Sequence, residues 1–297
     1  MKIGYPCINL SMDCRSSRTF RLKNYSESRL IETIQNNLNC LQKILEYNLT
    51  HNFYFFRITS DLIPFGSHPI MKFNWQEYFE NEFRKIGAFI QKYNMRITMH
   101  PGQYTVLNSV NEQIFQKSRK DLQYHVDVLD CMELNKSAKV QIHVGGVYGD
   151  KVKSLDRFVS RYLNLPDSIK NRLIIENDDK SYNLKDCLKI HTITSIPVVF
   201  DVYHHECYNS GESIRKVFNH FSNTWSKKDG LPIVHYSSEH PSKGKPRHAD
   251  HININHFKTF IRKTSEFNFD IMLEIKDKEQ SALKAIKILE KDLRIKI

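Results

Sequence analysis

The segment from residue 139 to residue 201 contains three short apolar runs: KVQIHV (139–144), LIIE (173–176) and PVVFD (197–201). Longer stretches with a helical period separate these runs. Short runs that are apolar throughout indicate strands buried on both faces, as in a parallel sheet covered by helices. Each run carries a histidine or a carboxylate at or near its end, namely His143, Glu176 and Asp201. The segment therefore predicts consecutive βα units with polar side chains at the carboxyl ends of their strands.

The same alternation continues on both sides of this segment. It predicts five further strands, at Ile3–Tyr5, Phe53–Ile58, Arg96–His100, Ile233–Tyr236 and Asp270–Glu274. The helices between them carry apolar stripes, such as Leu30, Ile34, Leu38, Leu41 and Leu45 in one helix and Phe79, Phe83, Ile86 and Ile90 in another.

Eight strands that alternate with eight helices over 297 residues predict an α/β protein with a single (β/α)8 TIM barrel, forming one domain over residues 1–297. An open, doubly wound sheet is the alternative. No GxGxxG motif follows the first strand, which disfavours the dinucleotide-binding version of that alternative.

Charge and composition restrict the class of partner. Lys and Arg total 44 against 33 Asp and Glu, which gives a formal net charge of +11. Such an excess suits a polyanion such as nucleic acid, although a basic protein without such a partner can have the same balance. The six cysteines form no CxxC pair, so we expect reduced thiols rather than a thiolate zinc site. We recognise no signal peptide or membrane-spanning stretch and expect a monomeric cytoplasmic protein.

Residues able to bind metal ions recur at or after the predicted strand ends. They are His68, His100, His143, Glu176, Asp201, His204, His235, His248 and Glu274. Closing the barrel brings the carboxyl ends of all strands to one face, where barrel enzymes have their active sites. Imidazole and carboxylate ligands suit Zn²⁺ or Mn²⁺, and this set exceeds what one ion can bind, so we predict two or three clustered ions. Any one of these residues alone is better explained by hydrogen bonding or helix capping; only their shared position favours a metal centre.

Longer motifs surround these residues. They are GYPCINL (4–10), FRI (56–58), LIPFGSHP (62–69), MHPGQY (99–104), IHVGG (142–146), END (176–178), PVVFD (197–201) with HH (204–205), and EIK (274–276) before KEQ (278–280). In their order, and over nearly the whole chain, these motifs resemble the ultraviolet damage endonucleases.

The resemblance implies a barrel related to endonuclease IV with a cluster of divalent ions, commonly Mn²⁺, with Mg²⁺ or Zn²⁺ as alternatives. Members of that family cut damaged double-stranded DNA immediately 5′ to cyclobutane dimers, (6-4) photoproducts or abasic sites. By motif, the nine residues above are the expected metal ligands. Gln103 and Tyr104 match a loop that probes the DNA at the lesion, and Tyr5 and Asn9 match residues that line the damage pocket.

The chain departs from the family's pattern at one position. The family commonly has a lysine two residues before the histidine of the seventh strand, described in some members as carboxylated and close to the metals. Ile233 occupies that position here. We expect this difference to affect the fine tuning of the metal centre and to leave its ligands in place.

Roles within the predicted site follow from the needs of phosphodiester hydrolysis. The predicted catalytic residues are Glu176, Glu274, His100 and His143. The two glutamates are candidates for bridging ions or orienting water, and the sequence does not decide between them. Basic side chains near the site are predicted to contact DNA phosphates, although charge runs are commonly just solvated surface; they are Arg15, Lys245 and Arg247.

Two other functions fit parts of the pattern. A metal-dependent sugar isomerase or epimerase can present similar ligands on the same barrel, and a non-catalytic protein can bind lesions without cutting. The charge of +11 and the Gln103-Tyr104 loop favour DNA over a sugar. The complete ligand set favours catalysis over binding alone.

Overall fold

The computed structural model of the chain describes residues 1–290 and 292–295. Eight parallel strands form a closed barrel in which each strand pairs with the next along the chain and the last pairs with the first. The strands are β1 (Ile3–Pro6), β2 (Phe55–Ile58), β3 (Arg96–Met99), β4 (Lys139–His143), β5 (Leu173–Glu176), β6 (Val198–Asp201), β7 (Ile233–Tyr236) and β8 (Asp270–Leu273). The predicted barrel is confirmed, and the open sheet is excluded.

Every strand is followed by at least one helix. The helices are α1 (Glu27–Thr50), α2 (Trp75–Tyr78), α3 (Glu80–Lys92), α4 (Glu112–Cys131), α5 (Lys151–Leu163), α6 (Asp167–Lys170), α7 (Leu184–Thr194), α8 (Val202–Cys207), α9 (Ile214–Phe221), α10 (Ile254–Lys263) and α11 (Glu279–Leu289). The described residues thus contain three short helices, α2, α6 and α8, in addition to the predicted eight. A segment of four to six residues is too short to show a helical period in sequence.

The predicted helix stripes face the sheet. All five residues of the stripe on α1 and all four of the stripe that reaches from Phe79 into α3 are buried. The strands are buried on both faces, with the exception of the half-buried His143 at the end of β4. Their mainly apolar character is explained by this double burial, with helices outside and packed side chains inside the barrel.

Alternate strand residues fill the inside of the barrel in three layers. The layer at the amino-terminal ends of the strands is charged: Arg96 pairs with Asp270 at 3.1 Å, and Lys139 contacts Asp229. The middle layer is apolar and consists of Phe55, Ile174, Val199, Ile233 and Met272. The layer at the carboxyl ends is polar again and contains candidate metal ligands. The layers form because side chains two residues apart on a strand point the same way.

The expectation of reduced thiols is wrong for one cysteine pair. Cys14, in the β1–α1 connection, and Cys40, on α1, form a disulfide with their Cα atoms 5.8 Å apart. The connection folds back onto α1, where the Asn37 side chain hydrogen bonds to both the backbone N and the backbone O of Arg18, each at 3.0 Å. The pairing depends on the path of this connection, which neither composition nor spacing reveals.

A helix that crosses a bilayer must be both long and apolar. Among the described residues, no helix of this protein meets both conditions.

We predict that Asp270→Ala lowers the free energy of unfolding by about 3–5 kcal/mol, because it leaves the buried guanidinium of Arg96 without its carboxylate. Urea unfolding followed by circular dichroism measures the loss. The double variant Arg96→Met with Asp270→Ala is the matched control, and it should recover much of the stability because no buried charge remains unpaired. Equal stability of Asp270→Ala and the parent protein would show that this pair does not stabilise the barrel.

Candidate metal centre

Most side chains that point into the barrel at its carboxyl-terminal end are imidazoles and carboxylates. These imidazoles and carboxylates lie at the ends of β4, β5, β6 and β7, or directly after β3 and β8. They belong to His100, His143, Glu176, Asp201, His235 and Glu274. The register holds them at one level, since His143 is opposite Glu176 and Asp201 is opposite His235 on neighbouring strands. Residues far apart in sequence therefore meet at the mouth of the barrel.

Three of these residues form a first group, which we call the histidine subsite: His100, His143 and Glu176. Glu176 Oε1 lies 2.8 Å from His143 Nε2 and 3.6 Å from His100 Nε2. The Nδ1 atom of His100 is 2.8 Å from the carbonyl oxygen of Pro101, a contact that fixes the ring with Nε2 directed at the carboxylate. A backbone carbonyl on the second nitrogen is the usual way of orienting a metal-binding imidazole.

A second group shares Glu176 and is called the carboxylate subsite: Glu176, His235 and Glu274. His235 Nδ1 lies 2.7 Å from Glu176 Oε2 and 3.2 Å from Glu274 Oε1. His235 is fully buried. Glu176 therefore presents one oxygen to each subsite, which is the arrangement expected of a carboxylate that bridges two ions.

Three further predicted ligands lie beside these subsites. The His204 ring is 5.7 Å from that of His143 and 5.6 Å from that of His248, centroid to centroid. Asp201 caps the start of α8, accepting a hydrogen bond from the backbone N of His204 at 2.7 Å. Its other oxygen, Oδ2, lies 4.0 Å from His235 Nδ1. These side chains extend the cluster along the mouth without belonging to either subsite.

His68 does not join the cluster. It is exposed in the β2–α2 connection, and its ring packs edge-on against Phe65 with centroids 6.0 Å apart. Its Nδ1 accepts a hydrogen bond from the backbone N of Ile70 at 3.1 Å. Metal binding by His68 stays a prediction.

The acidic and basic groups of the two subsites strongly influence each other's protonation. Burial acts to raise the pKa of Glu176, but His143 and His235 outweigh burial and hold this pKa well below its ordinary value. Burial likewise acts to raise the pKa of Glu274, and chiefly the charge of Arg57 brings it below the ordinary value. Both glutamates are therefore carboxylates at neutral pH.

The neighbouring histidines respond to these carboxylates in different ways. Burial lowers the pKa of His100, and Glu176 offsets this only in part. For His143, burial also acts downward, but Glu176 outweighs it and the pKa is raised. For His204, burial is outweighed by Asp201, Glu176 and Glu274, which raise the pKa to about 9. The cluster thus needs positive charge to balance its carboxylates.

The residues present fit a site for divalent cations. Asp201 Oδ2 is buried and has no hydrogen-bond partner among the described residues. Burial, Glu274 and Glu176 raise the pKa of Asp201 even though His204 acts against this, as expected where carboxylates crowd together. Imidazole nitrogens and carboxylate oxygens are ligands that Zn²⁺ and Mn²⁺ accept. Cations at this position would relieve the repulsion.

Two buried residues of the site were missed in the sequence. Arg57 on β2 lies 2.7 Å from Glu274 Oε1 and donates to His235 Nε2 at 2.9 Å. Gln141 on β4 donates to Glu176 Oε2 at 3.0 Å. A signal was available: each lies two positions from another inward-facing residue, Phe55 and His143 respectively, and a polar residue in an apolar strand is unusual.

The predicted DNA-probing pair lies at the rim. Gln103 and Tyr104 are exposed in the β3–α4 connection, and the Tyr104 side chain is 75% accessible. A Cβ atom on Gly102 would lie 2.5 Å from the Tyr104 ring, so glycine is required for this ring position. Gln103 borders a cleft of about 270 Å³ that is also lined by His100, His143 and His204. The pair therefore stands beside the candidate metal centre.

Tyr5 and Asn9 are not at the mouth in this structure. Tyr5 points outward from β1 into the layer beneath α1, where its hydroxyl donates to Asn48 at 2.6 Å and its ring packs edge-on against Phe53 and Phe56. Asn9 is buried and donates to the Tyr5 hydroxyl at 2.8 Å. Two strand faces that are both buried cannot be told apart in sequence. A lesion-lining role for this pair stays a prediction.

The predicted phosphate-binding residues are exposed in connections at the carboxyl ends of the strands. Arg15 lies in the β1–α1 connection, and Lys245 and Arg247 lie in the β7–α10 connection. The second connection turns back on itself, because His240 N donates to Arg247 O at 2.9 Å. All three side chains are accessible to a polyanion on the same side as the metal centre.

Residues 1–296 match the family described as UV-endonuclease UvdE. The UV DNA damage endonuclease of Clostridium perfringens, strain 13, is 42% identical over 292 residues, which cover 98% of this chain and 71% of the relative. The UV DNA damage endonuclease of Bacillus mycoides, strain KBAB4, is 35% identical over 283 residues, which cover 92% of this chain and 89% of the relative. The resemblance seen in the motifs is confirmed.

Solved structures agree with this assignment. The crystal structure of SacUVDE has a TM-score of 0.94 and 44% identity, with 98% of each chain covered. Endonuclease IV from Thermus thermophilus has a TM-score of 0.58 at 14% identity, covering 98% of this chain and 100% of its own, and shares the fold. D-psicose 3-epimerase from Clostridium cellulolyticum H10 has a TM-score of 0.59 at 11% identity, covering 99% of each chain, and also shares the fold. From the match over its whole length and the close agreement with SacUVDE, we conclude that this protein belongs to the UV-endonuclease UvdE family of DNA repair endonucleases.

Proposed function

We propose that this protein is a metal-dependent endonuclease that hydrolyses the phosphodiester bond immediately 5′ to ultraviolet photoproducts, both cyclobutane dimers and (6-4) photoproducts, and 5′ to abasic sites. The observation that carries the proposal is the grouping of His100, His143, Glu176, His235 and Glu274 at the mouth of a UvdE-family barrel.

The histidine and carboxylate subsites are the proposed positions of two divalent ions, and Asp201, His204 and His248 are proposed further ligands, of these two ions or of a third. Mn²⁺ is the first candidate, with Mg²⁺ and Zn²⁺ as alternatives. Such ions, when bound, supply Lewis acidity that activates water and neutralises charge on the phosphoryl oxygens. The imidazole and carboxylate donor set supports this assignment.

Glu176 and Glu274 are the proposed acceptors that orient the attacking water. Their lowered pKa values keep both side chains ionised at neutral pH, so each can accept a hydrogen bond from water. Glu176 is the stronger candidate because its carboxylate contacts both subsites. His100 and His143 are proposed to bind the ion of the histidine subsite, and thereby to keep the reacting phosphate near this carboxylate.

Lesion selectivity is proposed to come from the Gln103-Tyr104 pair. Damaged bases stack and pair poorly, so moving them out of the duplex costs less than moving intact bases, a difference of a few kcal/mol. Tyr104 offers an exposed ring for stacking on the bases that remain, and Gln103 offers an amide for hydrogen bonds. The exposed Arg15, Lys245 and Arg247 suit contacts to the DNA backbone on either side.

Nicking of irradiated supercoiled plasmid in the presence of Mn²⁺ tests the proposal. We expect relaxed plasmid to form from irradiated DNA, and neither from intact DNA nor after chelation of metal with EDTA. Duplexes with one defined lesion, resolved on a sequencing gel, then locate the cut relative to the lesion. An intact irradiated plasmid would contradict the proposal. Cutting with EDTA present would refute the metal dependence.

We predict that Glu176→Gln lowers the nicking rate by at least about 100-fold, since a neutral amide is a poor metal ligand and a poor acceptor for water. The nearly isosteric side chain should leave the far-ultraviolet circular dichroism spectrum unchanged. Glu290→Gln is the matched control, because Glu290 is exposed after α11, at the amino-terminal end of the barrel. Activity of Glu176→Gln equal to that of Glu290→Gln would remove Glu176 from the mechanism.

We predict that Tyr104→Ala reduces the ratio of affinities for lesion-containing and intact duplex by about fivefold or more, because one stacking contact is worth about 1–3 kcal/mol. Fluorescence anisotropy with labelled duplexes measures both affinities. Tyr104→Phe retains the ring and should retain the ratio. An unaltered ratio in Tyr104→Ala would assign this residue to packing on the rim.

A further inference from the structure

The carboxylate subsite already has a guanidinium next to it, whereas no described arginine or lysine forms an ion pair with Glu176, the carboxylate of the histidine subsite. We propose that Arg57 acts as a resident cation of the carboxylate subsite, so that a divalent ion binds more tightly at the histidine subsite than at the carboxylate subsite. This inference rests on the proposed metal dependence. It assigns to Arg57 the role of a positioning residue that sets the order in which the two subsites fill.

The contacts of Arg57 reach two of the three ligands of the carboxylate subsite. Its side chain is buried and 5% accessible, and its Nη2 atom lies 2.7 Å from Glu274 Oε1 and 2.9 Å from His235 Nε2. A guanidinium stays charged at any ordinary pH, and screening by water is weak at a buried position. Glu274 Oε1, which an ion at this subsite would need as a ligand, is therefore already in contact with a fixed positive charge.

The orientation of the His235 ring also disfavours an ion at the carboxylate subsite. A guanidinium only donates hydrogen bonds, so His235 Nε2 must be the acceptor in its contact with Arg57. The proton of the neutral ring is then on Nδ1, the nitrogen that faces Glu176 Oε2 at 2.7 Å. The contact with Arg57 thus leaves no free lone pair on the nitrogen that the carboxylate subsite offers to an ion.

Gln141 extends this arrangement to Glu176. Arg57 Nη2 donates to Gln141 Oε1 at 3.3 Å, and Gln141 Nε2 donates to Glu176 Oε2 at 3.0 Å. Oε2 thereby belongs to the hydrogen-bond network that Arg57 anchors. Oε1 is directed at the imidazoles of His100 and His143. The same carboxylate is therefore constrained on the carboxylate-subsite side and available on the histidine-subsite side.

Stepwise binding of Mn²⁺ to metal-free protein tests the inference without any measurement of cleavage. Electron paramagnetic resonance of free Mn²⁺ gives the dissociation constant of each ion. In the parent protein we expect the first ion to bind at least about tenfold more tightly than the second. In Arg57→Met, which removes the charge and keeps an unbranched side chain, the second ion should bind about tenfold more tightly than before, with the first changed less than about threefold.

Arg57→Lys is the matched control, because it retains the charge and should retain the separation between the two constants. Equal constants in the parent protein, an unchanged second constant in Arg57→Met, or loss of both ions from Arg57→Met would each overturn the inference. Should Arg57→Met not fold, Glu274→Gln tests which subsite fills first. In this variant the first Mn²⁺ ion should bind with the dissociation constant of the parent protein, and binding of the second ion should be lost. Loss of the first ion from Glu274→Gln would contradict the assignment.

Failure of this inference can be told apart from failure of the proposed function. Absence of Mn²⁺ binding together with an intact irradiated plasmid would remove the metal-dependent function itself. Metal-dependent nicking by a protein that binds two Mn²⁺ ions equally would leave that function standing and would refute only the role of Arg57.

Discussion

The carboxylate of Glu176 lies between two groups of metal-capable side chains, and this sharing depends on closure of the barrel. Oε1 faces the imidazole of His143 at 2.8 Å, and Oε2 faces that of His235 at 2.7 Å. The two histidines are on β4 and β7, which are not neighbours in the sheet. Closure of the sheet turns the side chains of both strands inward, toward one carboxylate. The chemistry of the site therefore depends on the same hydrogen-bonded closure that holds the fold together.

The two ends of the barrel differ in how their buried charges are balanced. At the amino-terminal end, buried ion pairs such as Arg96 with Asp270 are matched in charge and close off the interior. At the carboxyl-terminal end, the carboxylates are crowded together, and only Arg57 and the imidazoles balance them among the described residues. An apolar layer separates the two ends. Crowded carboxylates are costly to bury, and barrels commonly place such costs at the end where chemistry occurs and stability at the other.

The exposed aromatic and basic groups proposed to contact DNA lie in the connections rather than in the barrel. The exposed ring of Tyr104 lies so close to Gly102 that a Cβ atom there would meet the ring at 2.5 Å. The β1–α1 connection, which carries Arg15, is tied to α1 by the Cys14–Cys40 disulfide. Strands thus carry most of the candidate metal ligands, while the connections carry the exposed aromatic and basic groups.

The amino-acid sequence by itself determined the alternation of strands and helices, the closed barrel and the position of most candidate ligands at strand ends, because hydrophobic periodicity is a local property. It could not decide which face of a doubly buried strand points inward, so it overlooked Arg57. Nor could it show that His68 is exposed while other candidate ligands are buried at the mouth, or pair two cysteines 26 residues apart. Those relations depend on strand register, barrel closure and the path of the loops, and such contacts between distant residues exist only once the tertiary structure has formed.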